Sequence, residues 1–241
     1  MKGGGAVGAR FGGWLRRLFC LALALLLGAA LAFFAGAPQR AARREPPGLR
    51  AAFAEAAFRA EYDEPSRDTL RRWAARIRLF AQGAYTPQDL LTLETFVGEL
   101  NAKVKGLPEV SLARSAEEAN VLLSFAPLSD LPALLSGYVA GNWGFFMFWT
   151  DARQEMTRAR VLIASDVTSQ QERSHLLLEE LTGLLGLPND LEGHPDSIIH
   201  QRWTTTQALS ELDWQLLNLV YDARLRPGMG WQEAQQALGW D

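Results

Sequence analysis

The sequence has 241 residues, of which 48% are hydrophobic and 21% charged, a globular composition that excludes intrinsic disorder and low-complexity scaffolds. This length is enough for one medium-sized domain or two small ones, and it excludes a large multidomain enzyme. The 24 basic and 27 acidic residues give a net charge of -3, which is too balanced for binding a nucleic-acid backbone by counterion release, so no nucleic-acid partner is expected.

The N-terminus has the pattern of an export signal. Met1 to Arg17 carries four basic residues and no acid, and Leu18 to Ala37 then runs for twenty residues without a charge. Ala35-Gly36-Ala37 is a small-x-small site typical of signal-peptidase cleavage, but the run also reaches about 30 Å, the thickness of a bilayer core. Residues 1–37 are therefore predicted to be a cleaved signal peptide or an uncleaved transmembrane anchor, with the rest of the chain outside the cytoplasm.

The segment after this run is predicted to be a short linker. Residues 38–48 end in Pro46-Pro47-Gly48, which bars a helix, and the domain is predicted over residues 49–241. Cys20 is the only cysteine and lies inside the apolar run. The exported part therefore has no disulfide, no thiol nucleophile and no cysteine ligand for a metal.

The predicted elements alternate between helices and strands before a helical C-terminal half. A helix over Leu49 to Tyr62 is followed by a half-buried strand over Arg72 to Phe80, and a second helix opens after Thr86-Pro87. Three further strands are predicted over Asn120 to Ala126, Gly144 to Thr150 and Arg160 to Asp166. Three final helices are predicted over Gln170 to Leu185, Ser210 to Tyr221 and Trp231 to Leu238. This order predicts an α+β or α/β sheet with a helical subdomain behind it.

The first helix of the C-terminal half is the segment most suited to chemistry. At about 100° per residue its leucines form one apolar stripe, made of Leu177, Leu178, Leu181, Leu184 and Leu185. Glu180 lies at the edge of that stripe, whereas His175, Glu179 and Gly183 share the opposite side, which is predicted to face a cleft. Gly186 is predicted to end the helix in a left-handed conformation.

The pattern Glu179-Glu180-x-x-Gly183-x-x-Gly186 resembles the zincin active helix HExxHxxG with both ligand histidines replaced. With the segments PDSI and LSELDWQLLNLVYDARLRPGM, the chain is identified as a member of the bacterial domain of unknown function 2927 family, which is zincin-like and has no assigned activity. The resemblance covers Trp73 to Trp240. It implies an α+β, zincin-like fold: a mixed twisted sheet of about four to five strands, an active-site-type helix and a helical C-terminal subdomain.

The resemblance also implies roles for individual residues. Glu180 matches the zincin general base, Gly186 the glycine that turns the chain after the helix, and Met229 the methionine beneath the metal. The positions expected to hold three histidine ligands have other residues, namely Glu179, Gly183 and Asn189. Because a catalytic zinc needs three protein ligands, the domain is predicted to be a catalytically silent binding or structural module without a cofactor, in the periplasm or on the extracytoplasmic face of the inner membrane.

A rearranged metal site is the alternative. His175 and Glu179 are four residues apart on one side of a helix, so both reach one ion. A third ligand would come from one of four residues, Asp190, His194, Asp196 or His200. On this hypothesis the protein is a zinc-dependent peptidase with Glu180 as its general base. The competing explanation is a solvated pair between His175 and Glu179, with the other histidines in loops or at helix ends.

Two further segments have both a functional and a structural interpretation. The loop containing Asp190, Glu192, Asp196 and Ser197 is either a peptide-binding or ion-binding loop or simple turn and capping chemistry. The aromatic stretch 142–149 is either a groove wall or an edge that accepts a partner strand, or a buried strand. Core positions are predicted for Trp203, Trp214 and Trp231. The expected partners are the membrane, through Leu18 to Ala37 if this segment is uncleaved, and an unidentified envelope protein or peptide.

Overall fold

A computed structural model describes residues 48–58 and 69–240 of the chain. The predicted signal peptide or anchor and almost all of the predicted linker lie outside these ranges, as do the last residues of the predicted first helix. Within the two ranges no helix combines the length and the hydropathy of a membrane span.

Six strands in the described part of the chain form one sheet. They are β1 (Arg72–Trp73), β2 (Ile77–Gly83), β3 (Val110–Leu112), β4 (Val121–Ala126), β5 (Gly144–Thr150) and β6 (Glu155–Ala164). The spatial order is β5–β6–β4–β2–β3, with β1 beside the first residues of β6. All pairs are parallel except that of β5 with β6, so the sheet is mixed, as predicted.

Six α-helices accompany this sheet over the same residues. They are α1 (Leu49–Phe58), α2 (Pro87–Lys103), α3 (Leu131–Leu134), α4 (Gln170–Leu184), α5 (Glu211–Val220) and α6 (Trp231–Leu238). Capping boxes open three of them, at Thr86 for α2, Ser169 for α4 and Ser210 for α5. In each box a hydroxyl accepts the N–H of the third helical residue, whose carboxylate accepts the N–H of the cap in return.

The predicted strand over Arg72 to Phe80 is wrong in one respect, because it is two strands. Ala75, which would share a buried face with Trp73 and Ile77 in one continuous strand, is exposed. The chain changes partner at this point: β1 pairs with β6, whereas β2 pairs with β3 and β4. Together with β3, which is three residues long and shows no periodicity, this break gives six strands instead of four to five.

Strand β6 pairs with β1, β4 and β5, and its C-terminal end is buried on both faces. Val161 and Ile163 belong to the main core beneath α4, whereas Leu162 and Ala164 face a smaller core with Leu131 of α3. A strand covered on both sides is a continuous apolar run, which explains the sequence VLIA here. Because β6 is fixed in this way, the antiparallel strand β5 is held alongside α4.

Candidate functional site

The candidate site lies where β5 runs beside α4, and two glycines set the spacing. A Cβ added at Gly144 of β5 would collide with Oε1 of Glu180, so the Glu180 carboxyl lies directly against the β5 backbone. A Cβ at Gly183 of α4 would lie 2.7 Å from Cε1 and 2.9 Å from Cζ of Phe146. The aromatic ring of Phe146 therefore fills the space into which any side chain at position 183 would extend.

Asn189, at the position expected for the third zinc ligand, forms its hydrogen bonds with a different helix. The Asn189 side-chain Nδ2 donates to the carbonyl oxygen of Ala56 at 3.1 Å, and its backbone N–H donates to the same oxygen at 3.2 Å. Asn189 thus holds the end of α1 instead of facing α4. Of the three pattern positions, only Glu179 has a side chain beside His175. A tetrahedral zinc site with three protein ligands does not fit this donor set.

His175 is buried, with 2% of its surface exposed, so it does not line an open cleft. Its Nδ1 donates to the carbonyl oxygen of Thr206 at 2.8 Å, and its Nε2 lies 3.5 Å from Oε2 of Glu179. Burial lowers the pKa of His175, against a smaller opposing effect of the Thr206 carbonyl. The imidazole is therefore neutral, with its proton on Nδ1, and the pair predicted from the spacing forms in a shielded position.

Three carboxyl groups of α4 and the loop after it have raised pKa values; Glu179 and Glu180 are partly exposed and Asp190 is exposed. Burial, with a smaller contribution from the charge of Asp190, raises the pKa of Glu179 to about 8. Burial and the charges of Glu179 and Asp190 raise the pKa of Glu180 well above its usual range. Burial also raises the pKa of Asp190, with His200 acting in the opposite direction. In each case the environment disfavours the ionised form of the carboxyl group.

The remaining histidines lie in the loop after α4. His200 Nδ1 donates to the carbonyl oxygen of Leu191 at 2.9 Å, and the carbonyl oxygen of His194 accepts the Ser197 N–H at 3.0 Å. Over residues 48–58 and 69–240, no three His, Asp or Glu side chains are arranged to hold a metal ion. The structure therefore groups His175 with Glu179 and places His200 near Asp190, without joining them into a ligand set.

Asp213 organises the same loop and is fully buried. Ser197 Oγ donates to its Oδ1 at 2.5 Å, and the Ile198 N–H donates to its Oδ2 at 3.0 Å. The backbone N–H and the hydroxyl of Ser210 each donate to Oδ2 at 2.8 Å. The segments PDSI and SELD are thus joined through one carboxylate, so Ser197 serves turn and capping chemistry. Sequence reasoning found the cap at Ser210 but missed this second role of Asp213.

Residues 47–239, which include both segments, match the model of DUF2927, a protein of unknown function. The chain belongs to the DUF2927 family. The predicted family is therefore confirmed over four fifths of the sequence. A comparison with curated proteins found no match.

Solved structures similar to this DUF2927 chain include myroilysin and a fish hatching enzyme. A crystal structure of myroilysin has a TM-score of 0.40 and 14% identity, covering 74% of this chain and 97% of that one. High choriolytic enzyme 1, a hatching-enzyme zinc-protease from the medaka Oryzias latipes, has a TM-score of 0.35 and 11% identity, covering 68% and 99%. At these TM-scores the likeness is too weak to transfer any site residue.

Two partly exposed tryptophans of the DUF2927 domain lie near His175. Trp203 is 50% exposed and Trp143 is 37% exposed, and their rings meet edge to face with centroids 5.6 Å apart. Trp203 also contacts the His175 ring, at 5.5 Å. The predicted core position of Trp203 is wrong, because this residue lies in a loop that covers His175 from outside. Trp214 and Trp231 pack against the core, as predicted.

The two residues assigned a structural role by the zincin pattern have defined surroundings. Gly186 has a φ of 114°, and a Cβ there would approach Val220 Cγ1 to 2.7 Å and the Arg71 carbonyl oxygen to 2.9 Å, so only glycine fits this left-handed stop. Met229 is nearly buried. Its Sδ accepts the Arg226 N–H at 3.3 Å, and its carbonyl oxygen accepts the Leu70 N–H at 2.8 Å. Met229 therefore fixes the C-terminal turn against the chain before β1.

Proposed function

We propose that this DUF2927 protein is a pseudo-metallopeptidase of the bacterial envelope. Its zincin-like domain holds no catalytic zinc, hydrolyses no peptide bond and serves as a binding or structural module. Export rests on the sequence of residues 1–37, which carries either a cleavable signal or an anchor. The function as a module rests on the arrangement of α4 and β5.

The observation that carries the proposal is the contact between Phe146 and Gly183. In a zincin helix, position 183 would provide the second imidazole, but here it provides no side chain and its space holds an aromatic ring. A single substitution at Gly183 would therefore not restore a ligand. Loss of one ligand from a three-ligand site removes much of its zinc affinity.

The state of Glu180 supports the same proposal. A general base must be ionised at the working pH and within reach of the water it activates. Burial, and then the neighbouring carboxyl groups, raise the pKa of Glu180 well above its usual range, which disfavours the ionised form that a general base needs. Without a bound zinc to attract the carboxylate and to polarise a water, Glu180 lacks the partner that the zincin mechanism requires.

A zinc peptidase with nonstandard ligands is the second candidate. One observation favours it: His175 Nε2 and Glu179 Oε2 are only 3.5 Å apart. His175, Glu179 and a third ligand from Asp190, His194, Asp196 or His200 would hold the metal, with Glu180 as base. Zinc would lower the pKa of its water and polarise the scissile carbonyl. The loop would have to move to complete such a set.

Zinc content and peptide cleavage, measured on one preparation, test the proposal. The full-length protein is purified, dialysed against zinc and then against buffer, and analysed for metal by mass spectrometry and for activity on a peptide library. We expect well under one zinc per chain and no cleavage above the Glu180→Gln variant, with exposed Glu211→Gln as the matched control. One zinc per chain that is lost in His175→Ala, with Glu180-dependent cleavage, would establish the peptidase instead.

A further inference from the structure

Strand β5 is flanked by two loops of opposite character. The hairpin 151–154 at its C-terminal end carries Asp151 and Arg153, which form an ion pair at 3.5 Å. The loop 135–143 at its N-terminal end belongs to a longer run, residues 131–150, that contains no charged residue. Because a strand of seven residues spans roughly 20 Å, this side of the domain has a charged end and an uncharged end.

The uncharged loop is exposed and displays large apolar side chains. All residues of 136–143 are exposed except Tyr138, which is half-buried. Val139 is 51% exposed and Trp143 is 37% exposed. The Asn142 N–H donates to the Val139 carbonyl oxygen at 3.4 Å, and the Tyr138 hydroxyl donates to the Asn142 carbonyl oxygen. These bonds fix the turn that presents Val139 and Trp143 as neighbours on the surface.

Trp203 extends this apolar surface from a second loop. It is 50% exposed, and its ring meets that of Trp143 with centroids 5.6 Å apart. Residues 197–210 around it contain no acid, and their only arginine or lysine is the exposed Arg202. We call Val139, Trp143 and Trp203 the apolar patch. Single exposed apolar side chains are common, whereas a contiguous patch built from two loops marks an interaction surface.

The composition of the apolar patch suits a phospholipid surface. Indole rings are enriched at membrane interfaces, where the apolar part of the ring leaves water and the N–H stays hydrated. An arginine beside them, as Arg202 is, lays its aliphatic stem along apolar surface and donates to phosphate. The absence of acid from residues 131–150 and 197–210 avoids repulsion from anionic headgroups.

The N-terminal sequence supports a membrane as the occupant of this patch. Leu18 to Ala37 is long enough to cross a bilayer, and residues 38–48 separate it from α1. A linker of this length extends for at most about 36 Å, so an uncleaved anchor keeps the start of α1 within that distance of the membrane. Tethering raises the effective concentration of lipid, so a patch of weak affinity is sufficient. Docking on lipid thus rests on the proposed function, in which the chain belongs to the envelope.

We propose that the apolar patch docks on the phospholipid surface of the membrane, with Val139, Trp143 and Trp203 inserted among the headgroups. The charged hairpin 151–154 at the other end of β5 stays in water. Because Gly144 follows Trp143 directly, the region where β5 runs beside α4 then lies close to the membrane surface.

A fluorescent label at either end of β5 tests this inference in the full-length protein. Ala140 and Ala152 are both exposed alanines, one in each loop. Ala140→Cys and its matched control Ala152→Cys, each in a Cys20→Ala background, carry an environment-sensitive dye on the new thiol. The proteins are reconstituted into vesicles of phosphatidylethanolamine and phosphatidylglycerol, with or without phospholipid that bears a nitroxide just below the headgroup. We expect the nitroxide to quench the dye at position 140 by at least about half and the dye at position 152 by less than about a tenth.

Variants in the apolar patch separate docking from proximity to the anchor. Val139→Asp places a charge in the patch and should lower quenching at position 140 by at least about half, whereas Val139→Leu should preserve it. The double variant Trp143→Ser with Trp203→Ser should lower this quenching to the level of position 152. Since Trp203 packs on His175, far-ultraviolet circular dichroism checks the fold of the double variant, and the exposed position of Val139 keeps the test independent of it.

Three results would overturn the inference. They are equal quenching at positions 140 and 152, quenching at 140 that is unchanged in Val139→Asp, and a dye at 140 that is shielded without lipid in proportion to protein concentration, which would assign the patch to a second copy of the chain. Zinc content and peptide cleavage, measured on the same protein, separate this failure from failure of the proposed function. Zinc-free, inactive protein with a water-exposed patch refutes only docking, whereas stoichiometric zinc with cleavage refutes the module.

Discussion

Carboxyl groups with contrasting surroundings occur in two regions of this domain: Asp89 and Asp213 are fully buried, whereas Glu179 and Glu180 are partly exposed. Asp89 accepts hydrogen bonds from Arg173, from the Thr86 N–H at 2.7 Å and from Gln170 Nε2 at 2.7 Å, and it also forms an ion pair with Arg173. Asp213 accepts four donors from two segments. Both groups are fully compensated by the fold.

Glu179 and Glu180 lie in the other region, where they are partly exposed and have fewer protein partners. Glu179 has one weak partner, His175 at 3.5 Å, and burial raises the pKa of both glutamates. A carboxyl group that stabilises a fold is surrounded by donors, whereas one that costs free energy is tolerated where something else is gained. The difference separates carboxyl groups that the fold surrounds with donors from those that it does not.

The largest expected effect follows from removing the cation beside Asp89. Arg173→Met leaves a buried carboxylate without its ion pair, so we expect the free energy of unfolding to fall by about 3–5 kcal/mol. Urea denaturation measures this loss. The exposed Arg114→Met is the control and should change stability by less than about 0.5 kcal/mol. A similar small change in Arg173→Met would show that the pair is not required.

The second effect concerns Asp213. Asp213→Ala leaves the donors of Ser197, Ile198 and Ser210 without their acceptor and removes the junction between the loop and α5. We expect a loss of about 3 kcal/mol, because each buried unsatisfied donor costs about 1–3 kcal/mol and some will reach water. Glu211→Ala, in the same first turn of α5 but exposed, is the matched control. Equal stability of the two variants would contradict this role.

The third prediction compares two glycines in helices, one packed against an aromatic ring and one in open space. Gly183→Ala should destabilise the protein by about 1–2 kcal/mol because its Cβ would meet Phe146, although alanine favours a helix. Gly98→Ala in α2 meets no atom within 4 Å and should stabilise by about 0.5–1 kcal/mol. Phe146→Leu should reduce the cost of Gly183→Ala in a double-mutant cycle. Stabilisation by Gly183→Ala alone would show that the ring does not fill this space.

The smallest effect is a dependence of stability on pH. The pKa of Glu179 is raised to about 8 in the fold, so between pH 6.5 and 8 the folded state holds a proton that the unfolded state has lost. Stability should therefore fall as pH rises, by about 1 kcal/mol over this window. His175, with its lowered pKa, acts in the opposite direction only below about 6.5.

Denaturation midpoints of the wild type and Glu179→Gln at several pH values measure this slope. The variant cannot ionise at this position, so its stability should be flatter across the window. A wild-type protein that becomes more stable from pH 6.5 to 8 would contradict the raised pKa.

Local signals in the sequence predicted much of the fold. Thr86-Pro87 and the Ser210 capping pattern mark the beginnings of α2 and α5, and the apolar stretches of β4 and β5 are visible directly. The break between β1 and β2 was not predictable, because it depends on which strand each half joins. Strand β3 was missed because three residues carry no period.

The candidate site was only half visible in the sequence. The loss of ligands at Gly183 and Asn189 can be read from the motif, but the Phe146 ring that fills the gap comes from another strand. Helical angles placed His175 on an open side, whereas the loop carrying Trp203 and Thr206 covers it. Both errors have one cause: periodicity describes a single element and contains no information on what packs against it.

Diffraction at the zinc absorption edge, from crystals of the protein grown with excess zinc, tests the central claim most directly. We predict no anomalous peak within bonding distance, about 2–2.5 Å, of His175, Glu179 or Glu180, and an aromatic ring in contact with Gly183. A strong peak coordinated by His175, Glu179 and a third side chain, with a water in the fourth position, would contradict the account.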